Sequence, residues 1–211
     1  MDAKNYKWLA PFILTFSINT YADEASDYQS MDYEYLYAEV SAGSLDEYIG
    51  VNSDVSSFVL GGHYQVMDDL FVTLEYEARY IHPDETTTEI YTLLPGAFYR
   101  YEVVEGLDFL AGMKTGLLWA HQTNNETDKS ISKDNRFMIT GSAALRYNIS
   151  ENWDVEGSAE IRRSDVLDEE VYILRGDYFL TARISLGGFY KHRHKDTATT
   201  NEGGLSMRFY Y

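Results

Sequence analysis

Apolar and polar residues alternate along most of this chain with a period of two, which is typical of β-strands and not of helices. In the stretch after residue 70, Val72 and Leu74 share one face of the predicted strand, while Glu75 and Glu77 share the other. Similar alternation runs from about residue 34 to the end of the chain at residue 211. The sequence therefore predicts an all-β fold.

A nine-residue pattern occurs four times: Tyr, any residue, an aliphatic residue, any three, a bulky apolar residue, any residue, an apolar residue. The copies are Tyr64/Val66/Leu70/Val72, Tyr101/Val103/Leu107/Phe109, Tyr147/Ile149/Trp153/Val155 and Tyr178/Leu180/Ile184/Leu186. Each copy joins two alternating stretches through a short polar turn. We therefore expect four tight hairpins that are apolar on the same face of both arms.

These hairpins give the expected number of strands. Four hairpins contain eight strands, and the stretches at about 34–43 and 203–211 add two, so we predict ten. Eight strands is the alternative, if Val171–Lys191 forms one long strand, but the copy of the pattern at Tyr178 favours two strands there. The predicted fold is a transmembrane antiparallel up-and-down β-barrel.

Alternation alone also fits a soluble sandwich or a lipocalin-like barrel, so the choice depends on which face carries the charges. Strands of about ten residues have the length needed to cross a bilayer at a tilt. Tyr64, Tyr101, Tyr147 and Tyr178 all lie on the apolar face beside a short turn, as expected for an aromatic girdle at the periplasmic interface. The other connections are longer and polar, at about 44–54, 82–89, 122–135, 164–170 and 193–202, as expected of extracellular loops.

The N-terminus has the features of a secretory signal peptide. Lys4 and Lys7 precede an apolar run, and Thr20-Tyr21-Ala22 offers small residues at the cleavage site. We predict a signal peptide at residues 1–22 and a single barrel domain at 23–211. A retained anchor helix is the alternative, but the apolar run is shorter than the roughly 18 residues that a membrane span requires.

Composition narrows the function. The chain has no cysteine, which excludes disulfides and is compatible with export through the periplasm. Its formal net charge of −17 argues against nucleic acid as a partner.

If the tyrosines point outward, the residues on the opposite face of each strand point into the barrel lumen. The residues predicted to line it are Glu39, Glu75, Glu77, Arg79, Arg100, Glu102, Lys114, Arg146, Glu156, Glu160, Arg162, Arg175, Asp177, Arg183 and Arg208. Charges in a narrow, poorly hydrated space are costly unless they are paired. We therefore expect an ion-pair network that plugs the lumen, and a gated narrow pore is the alternative.

The last residues of the chain carry a further feature that is typical of membrane barrels. Leu205, Met207, Phe209 and Tyr211 alternate up to the final residue, and a terminal aromatic after such alternation resembles the assembly signal of outer-membrane barrels. Over its whole mature length the chain resembles small Gram-negative outer-membrane β-barrels of the OmpA-like and OmpX-like kind, without matching a particular subfamily. The resemblance implies an outer-membrane location, insertion by the barrel-assembly machinery, and contact with outer-membrane lipid and lipopolysaccharide.

Candidate chemistry is sparse. His82, His121, His192 and His194 fall at strand ends or loops, and with Ser164 and Asp165 they could form an enzymatic site at the rim. No spacing fixes a nucleophile and its base, and two histidines two residues apart are too few for a confident metal site. The basic run containing Lys191, Arg193 and Lys195 is a candidate contact for lipopolysaccharide phosphates.

We therefore predict a monomeric, non-enzymatic outer-membrane barrel that needs no cofactor or metal and has no catalytic residues. Its expected role is structural or in surface interactions through short acidic extracellular loops. A narrow, porin-like channel is the first alternative, and a hydrolase with a histidine site at the loop rim is the second.

Overall fold

The computed structural model describes residues 32–46, 54–83, 85–195 and 198–211, and these residues form one closed antiparallel barrel. Its ten strands are β1 Tyr35–Leu45, β2 Val55–Met67, β3 Leu70–Ile81, β4 Thr86–Val104, β5 Leu107–Asn124, β6 Lys129–Ser150, β7 Trp153–Arg163, β8 Asp168–Thr181, β9 Ile184–Lys195 and β10 Ala198–Tyr210. The predicted signal peptide at residues 1–22 lies outside the described residues. Within the described part of the chain, no helix is long and apolar enough to cross a bilayer.

Every strand pairs with its neighbours in sequence, and the first strand pairs with the last. The β1–β10 ladder runs from Tyr35 opposite Tyr210 to Leu45 opposite Thr200, and it closes the barrel. The Val171–Lys191 stretch is divided between β8 and β9 by a turn at residues 182–183. The prediction of an up-and-down barrel with ten strands is therefore confirmed, and the alternative of eight is wrong.

The four copies of the repeated pattern form the short turns at one end of the barrel, which we call the lower end. Two turn residues join the strands in each case, at 68–69, 105–106, 151–152 and 182–183. Gly106 has a φ of 78°, a left-handed conformation that glycine adopts without steric cost. The chain enters β1 and leaves β10 at this same lower end.

Four of the five connections at the opposite, upper end are shorter than predicted, and the fifth, at about 44–54, lies mostly outside the described residues. β5 continues to Asn124 and β6 begins at Lys129, so most of the expected loop at 122–135 is a paired hairpin in which His121 lies opposite Lys133. The expected loops at 82–89, 164–170 and 193–202 are likewise partly strand. Polar residues there indicate exposure to water, but they do not prevent backbone pairing above the membrane.

Side-chain exposure shows that the barrel is inverted relative to a soluble protein. Leu74, Met113 and Leu205 are 53%, 63% and 68% exposed on the outer wall, whereas Glu77 and Arg79 are each 3% exposed inside. An apolar exterior around a charged interior is the arrangement of a membrane barrel. The apolar face of the strands therefore points outward and the charged face inward, as the sequence pattern predicts for a transmembrane barrel.

This orientation predicts a depth-dependent cost of outward charges. Leu74→Arg, near the middle of β3, should lower the free energy of unfolding in lipid vesicles by about 2–4 kcal/mol, because the guanidinium enters the apolar part of the bilayer. Val66→Arg, at the lower end of β2 and also exposed, should cost only about 0–1 kcal/mol. Equilibrium unfolding followed by tryptophan fluorescence measures both, and equal costs would contradict the assigned membrane position.

Candidate functional site: the charged lumen

Strand alternation brings most of the predicted lumen residues together inside the barrel. They are Glu39, Glu75, Glu77, Arg79, Lys114, Arg146, Glu156, Glu160, Arg162, Arg175, Asp177 and Arg208, and each takes part in an ion pair there. Of the three further predicted residues, two lie outside the lumen. Because most of these side chains are buried, the interactions among them determine what the lumen can do.

The sequence also predicts Arg183 and Glu102 in the lumen, and for these two residues the prediction is wrong. Arg183 lies exposed in the turn between β8 and β9, and Glu102 is exposed beside the turn after β4. Arg100 lies at the lower end of the lumen, where its guanidinium is 5.6 Å from the ring of Tyr33 and its Nη2 is 3.2 Å from Asp69 Oδ1. A side chain on the inward face of a strand is buried only where an opposite wall of the barrel covers it. At the strand ends the lumen opens to water.

The densest group of charges, the upper cluster, contains three carboxylates and three guanidinium groups. Its members are Glu77, Glu169, Glu202, Arg79, Arg162 and Arg193, and none is more than 4% exposed. Arg193 holds Glu202 at 2.7 Å and also pairs with Glu77. The equal numbers of positive and negative groups allow each charge to be compensated inside the barrel.

One ion pair of this cluster crosses the whole lumen. Arg79 is on β3 and Glu169 is on β8, five places apart in the ring of ten strands, which is the largest separation that the ring allows. Arg79 Nη1 lies 3.0 Å from Glu169 Oε2. Side chains from diametrically opposite walls therefore meet in the middle of the barrel.

Below it, a second group of charges surrounds Lys114. Its Nζ is 2.7 Å from Glu160 Oε1 and 3.0 Å from Glu75 Oε2. Tyr37 also donates a hydrogen bond to Glu75, at 2.9 Å. Arg162 joins this group to the upper cluster, because its Nη2 is 2.7 Å from Glu160 and its Nη1 is 2.6 Å from Glu77. The planar fork of arginine suits it to bridge two carboxylates in this way.

The wall formed by β1 and β8–β10 contributes further pairs. Arg175 pairs with Glu39, whose other carboxylate oxygen is 3.7 Å from Lys191 Nζ. Arg208 lies lower, 3.3 Å from both Glu156 and Asp177. The ion pairs thus continue from the upper cluster toward the lower end.

The lower end of the lumen is filled by Tyr33, which precedes β1. Its side chain is 3% exposed, and its hydroxyl donates a 2.7 Å hydrogen bond to Asp108. The ring packs 5.0 Å from Phe71 and lies 4.9 Å from the guanidinium of Arg146, which in turn forms a 2.5 Å ion pair with Asp154. A residue before the first strand therefore occupies the lower end of the lumen.

The placement of Lys191 and Arg193 contradicts the lipopolysaccharide contact predicted for them, whereas the contact predicted for Lys195 stays a prediction. Lys191 and Arg193 are buried, at 3% and 2% exposure, and belong to the lumen network. Lys195 lies on the same face and lines a cavity at the upper end. The basic run is the upper part of β9 and not a loop, so its odd-numbered residues keep the inward parity of the strand.

Sequence reasoning also missed several acidic members of the network. Glu169 and Glu202 lie in stretches expected to be loops, and Asp108 and Asp154 follow short turns. All four residues occupy alternate positions counted from the inward residues at the strand centres, so the same period of two identifies them. In β8 and β10 this period stays regular up to the upper ends.

The histidines have different surroundings in the structure, one inside the barrel and the others near its upper end. His63 lies inside the barrel with its ring stacked 4.7 Å from that of Tyr35. At the upper end, His121 Nε2 is 3.0 Å from Ser130 Oγ, and His192 Nδ1 is 2.8 Å from Asn201 Oδ1. No group of three or more potential metal ligands occurs among the residues with assigned positions.

The outward aromatic residues lie at the lower end, on the face predicted for them. Tyr64, Tyr101 and Tyr147 are each exposed, and Tyr178 packs against Trp153 with the ring centroids 5.1 Å apart. The C-terminal residues Phe209 and Tyr211 are also exposed at this end, beside the ladder that closes the barrel. Their functions as girdle and assembly signal remain predictions.

Comparison with solved structures supports the fold. The translocator domain of the autotransporter NalP from Neisseria meningitidis is similar over 88% of this chain and 90% of its own, with 11% identity and a TM-score of 0.52. The NanC porin is similar over 83% of this chain and 100% of its own, with 12% identity and a TM-score of 0.50. The β domain of the Bordetella autotransporter BrkA is similar over 84% and 99%, with 10% identity and a TM-score of 0.50.

The sequence itself matches no protein-family model and is not significantly similar to any curated protein. At these identities the structural likeness establishes the architecture alone. Combined with the apolar outer wall and the ten-stranded closure, it confirms the family resemblance predicted from the sequence at the level of fold. The chain has the fold of small bacterial outer-membrane β-barrels.

Proposed function

We propose that this protein is a closed, non-conducting barrel of the Gram-negative outer membrane that acts as a structural or surface-interaction element. The observation that carries the proposal is the ion pair between Arg79 and Glu169, which spans the lumen between opposite strands. Arg162 and Arg193 add further bridges to Glu77 in the same layer. A hydrated ion would have to displace this layer to pass.

The energetics of the lumen favour a permanent closure. Removal of one partner from a buried ion pair leaves an uncompensated charge and costs roughly 3–5 kcal/mol. A rearrangement of the upper cluster would separate several such pairs at once while their charges stay inside the barrel, because Arg162 and Arg193 each contact two or more carboxylates. The network therefore serves as a rigid plug in the proposed function.

The exposed parts of the protein are acidic at the upper end, which faces the outside of the cell in this proposal. Glu85, Glu126, Asp128, Asp165 and Asp168 belong to the turns there or lie next to them. Their charges keep the upper end hydrated and discourage self-association, consistent with a monomer. The outer wall is surrounded by outer-membrane lipid and lipopolysaccharide, and the exposed C-terminal aromatics are the segment that the assembly machinery would bind.

A narrow channel is the second candidate function. It is favoured by the structural likeness to the NanC porin and by a cavity of about 110 Å³ inside the barrel, lined by His63, Glu75 and Lys114 among others. The proposal assigns no chemical role to the histidines at the rim.

The plug predicts that two adjacent arginines differ strongly in their contribution to stability. Arg162→Met should lower the free energy of unfolding by roughly 3–5 kcal/mol, because Glu77 and Glu160 each lose one of their two cationic partners and the buried network keeps an uncompensated negative charge. Arg163→Met is the matched control, since Arg163 is 49% exposed and pairs with Asp168 at the surface. It should cost about 0–1 kcal/mol.

Urea unfolding in lipid vesicles, together with heat-dependent gel migration, measures both variants. A loss for Arg162→Met no greater than that for Arg163→Met would show that the network does not hold the barrel together, and the plug hypothesis would fail.

The plug also predicts the electrical behaviour of the protein. Purified wild-type protein in planar bilayers should show no discrete conductance steps. The double variant Arg79→Ser/Glu169→Ser removes the pair that crosses the lumen without changing the net charge, and it should give measurable steps. Arg163→Ser/Asp168→Ser removes an exposed pair of the same chemistry and should remain silent.

Discrete steps from the wild-type protein would refute the proposal and favour the channel. If steps were equal in the two double variants, the conductance would not depend on the Arg79–Glu169 pair.

A further inference from the structure

Above the upper cluster, the lumen widens into a cavity of about 440 Å³, which we call the outer cup. Its wall includes Ile81, Ile90, Leu118 and Leu167, and Arg79, Glu169, Arg193 and Lys195 also line it. This volume falls in the range of roughly 300–1,000 Å³ that is usual for sites of small organic ligands. The outer cup is separate from the smaller cavity deeper in the barrel.

One side of the outer cup is unexpectedly apolar for the water-facing mouth of a barrel with a charged lumen. Ile90, Leu118 and Leu167 belong to a packed cluster that also contains Leu94 and Met138. Ile81, Ala120 and Val166 are partly buried against this cluster and complete the apolar wall. An apolar surface that lines a cavity is a binding surface for the hydrocarbon part of a ligand, because burial there removes apolar area from water.

The polar side of the outer cup offers hydrogen-bond donors that the protein does not use. Lys195 has no ion-pair partner among the residues whose positions the structure gives. Arg79 is buried, and its Nε has no hydrogen-bond partner. The carboxylates nearby are already engaged: Glu169 pairs with Arg79 at 3.0 Å, and Asp134 pairs with Arg136 at 3.1 Å.

These two sides together indicate the chemistry of an occupant. An anionic group would satisfy the donors near Lys195 and Arg79, whereas a cation would find its potential partners already paired. The acidic residues of the upper turns, Glu85, Glu126, Asp128, Asp165 and Asp168, do not line the outer cup, and physiological salt screens their field over about 8 Å. The local donors therefore determine the sign of the ligand charge.

We propose that the outer cup binds a small amphiphilic anion, with its carboxylate or other acidic group at Lys195 and its apolar body against Ile81, Leu118 and Leu167. The site is closed below by the upper cluster, so the ligand is held at the cell surface and does not pass through the barrel. Binding in the outer cup does not depend on whether the lumen conducts ions, whereas retention of the ligand at the cell surface rests on the proposed function.

Binding of decanoate tests the proposal. Isothermal titration of the full-length mature protein in lipid nanodiscs, with empty nanodiscs subtracted, should show saturable binding at one site. Acetate, which lacks the apolar body, and decyltrimethylammonium, which carries the opposite charge, should bind at least about tenfold more weakly. A decyl phosphate titration distinguishes a requirement for a carboxylate from a general preference for anions.

Two variants localise the site. Lys195→Glu should weaken decanoate binding by about tenfold or more, because it replaces the unpaired donor by a like charge. Ile81→Ser should weaken it by removing part of the apolar wall. Lys133→Glu is the matched control. Lys133 is exposed on β6 outside the outer cup, and its substitution changes the net charge by the same amount.

Heat-dependent gel migration confirms that each variant is folded before titration. Binding that is absent in the wild type, is equal for decanoate and decyltrimethylammonium, or is reduced equally by Lys195→Glu and Lys133→Glu would overturn the proposal.

Discussion

A strand that crosses a bilayer has no water to satisfy its backbone N–H and C=O groups, and this constraint governs the whole structure. The ladder between β1 and β10 removes the last open edge of the sheet. Closure also determines which side chains face the lumen and which face the lipid, because successive residues of a strand point to opposite faces. Every second residue must enter the lumen, including the many charged ones, and those charges must find their partners there.

The ion-pair network of the lumen follows from the placement of these charged side chains inside the barrel. Arg162 links the upper cluster to the pairs around Lys114, so the charges form a connected system and not a set of isolated bridges. The two ends of the barrel then differ in character. Tyr33 and its bond to Asp108 fill the lower end, whereas the upper end widens into a cavity with an apolar wall.

The errors of the sequence reasoning share one physical origin, which is the treatment of polar stretches as loops. Arg193 and Glu202 were assigned to a loop region because their surroundings are hydrophilic, yet they are 2.7 Å apart inside the barrel. Strands extend above the membrane when they can pair with their neighbours, and water outside the wall permits polar residues on both faces. Conversely, Arg183 has the inward parity but is exposed, since no opposite wall covers it at the turn.

The sequence by itself determined the period-two alternation, the four hairpins marked by Tyr64, Tyr101, Tyr147 and Tyr178, and therefore the ten strands and the inward side of most charges. These features depend on local order along the chain, which a pattern records directly. Only the tertiary structure decided which charges meet. Arg79 and Glu169 are 90 residues apart in the chain, and their contact depends on how the closed sheet brings opposite walls together. The apolar wall of the outer cup has the same origin, because Ile90, Leu118, Met138 and Leu167 come from separate segments and form a surface only after the barrel closes.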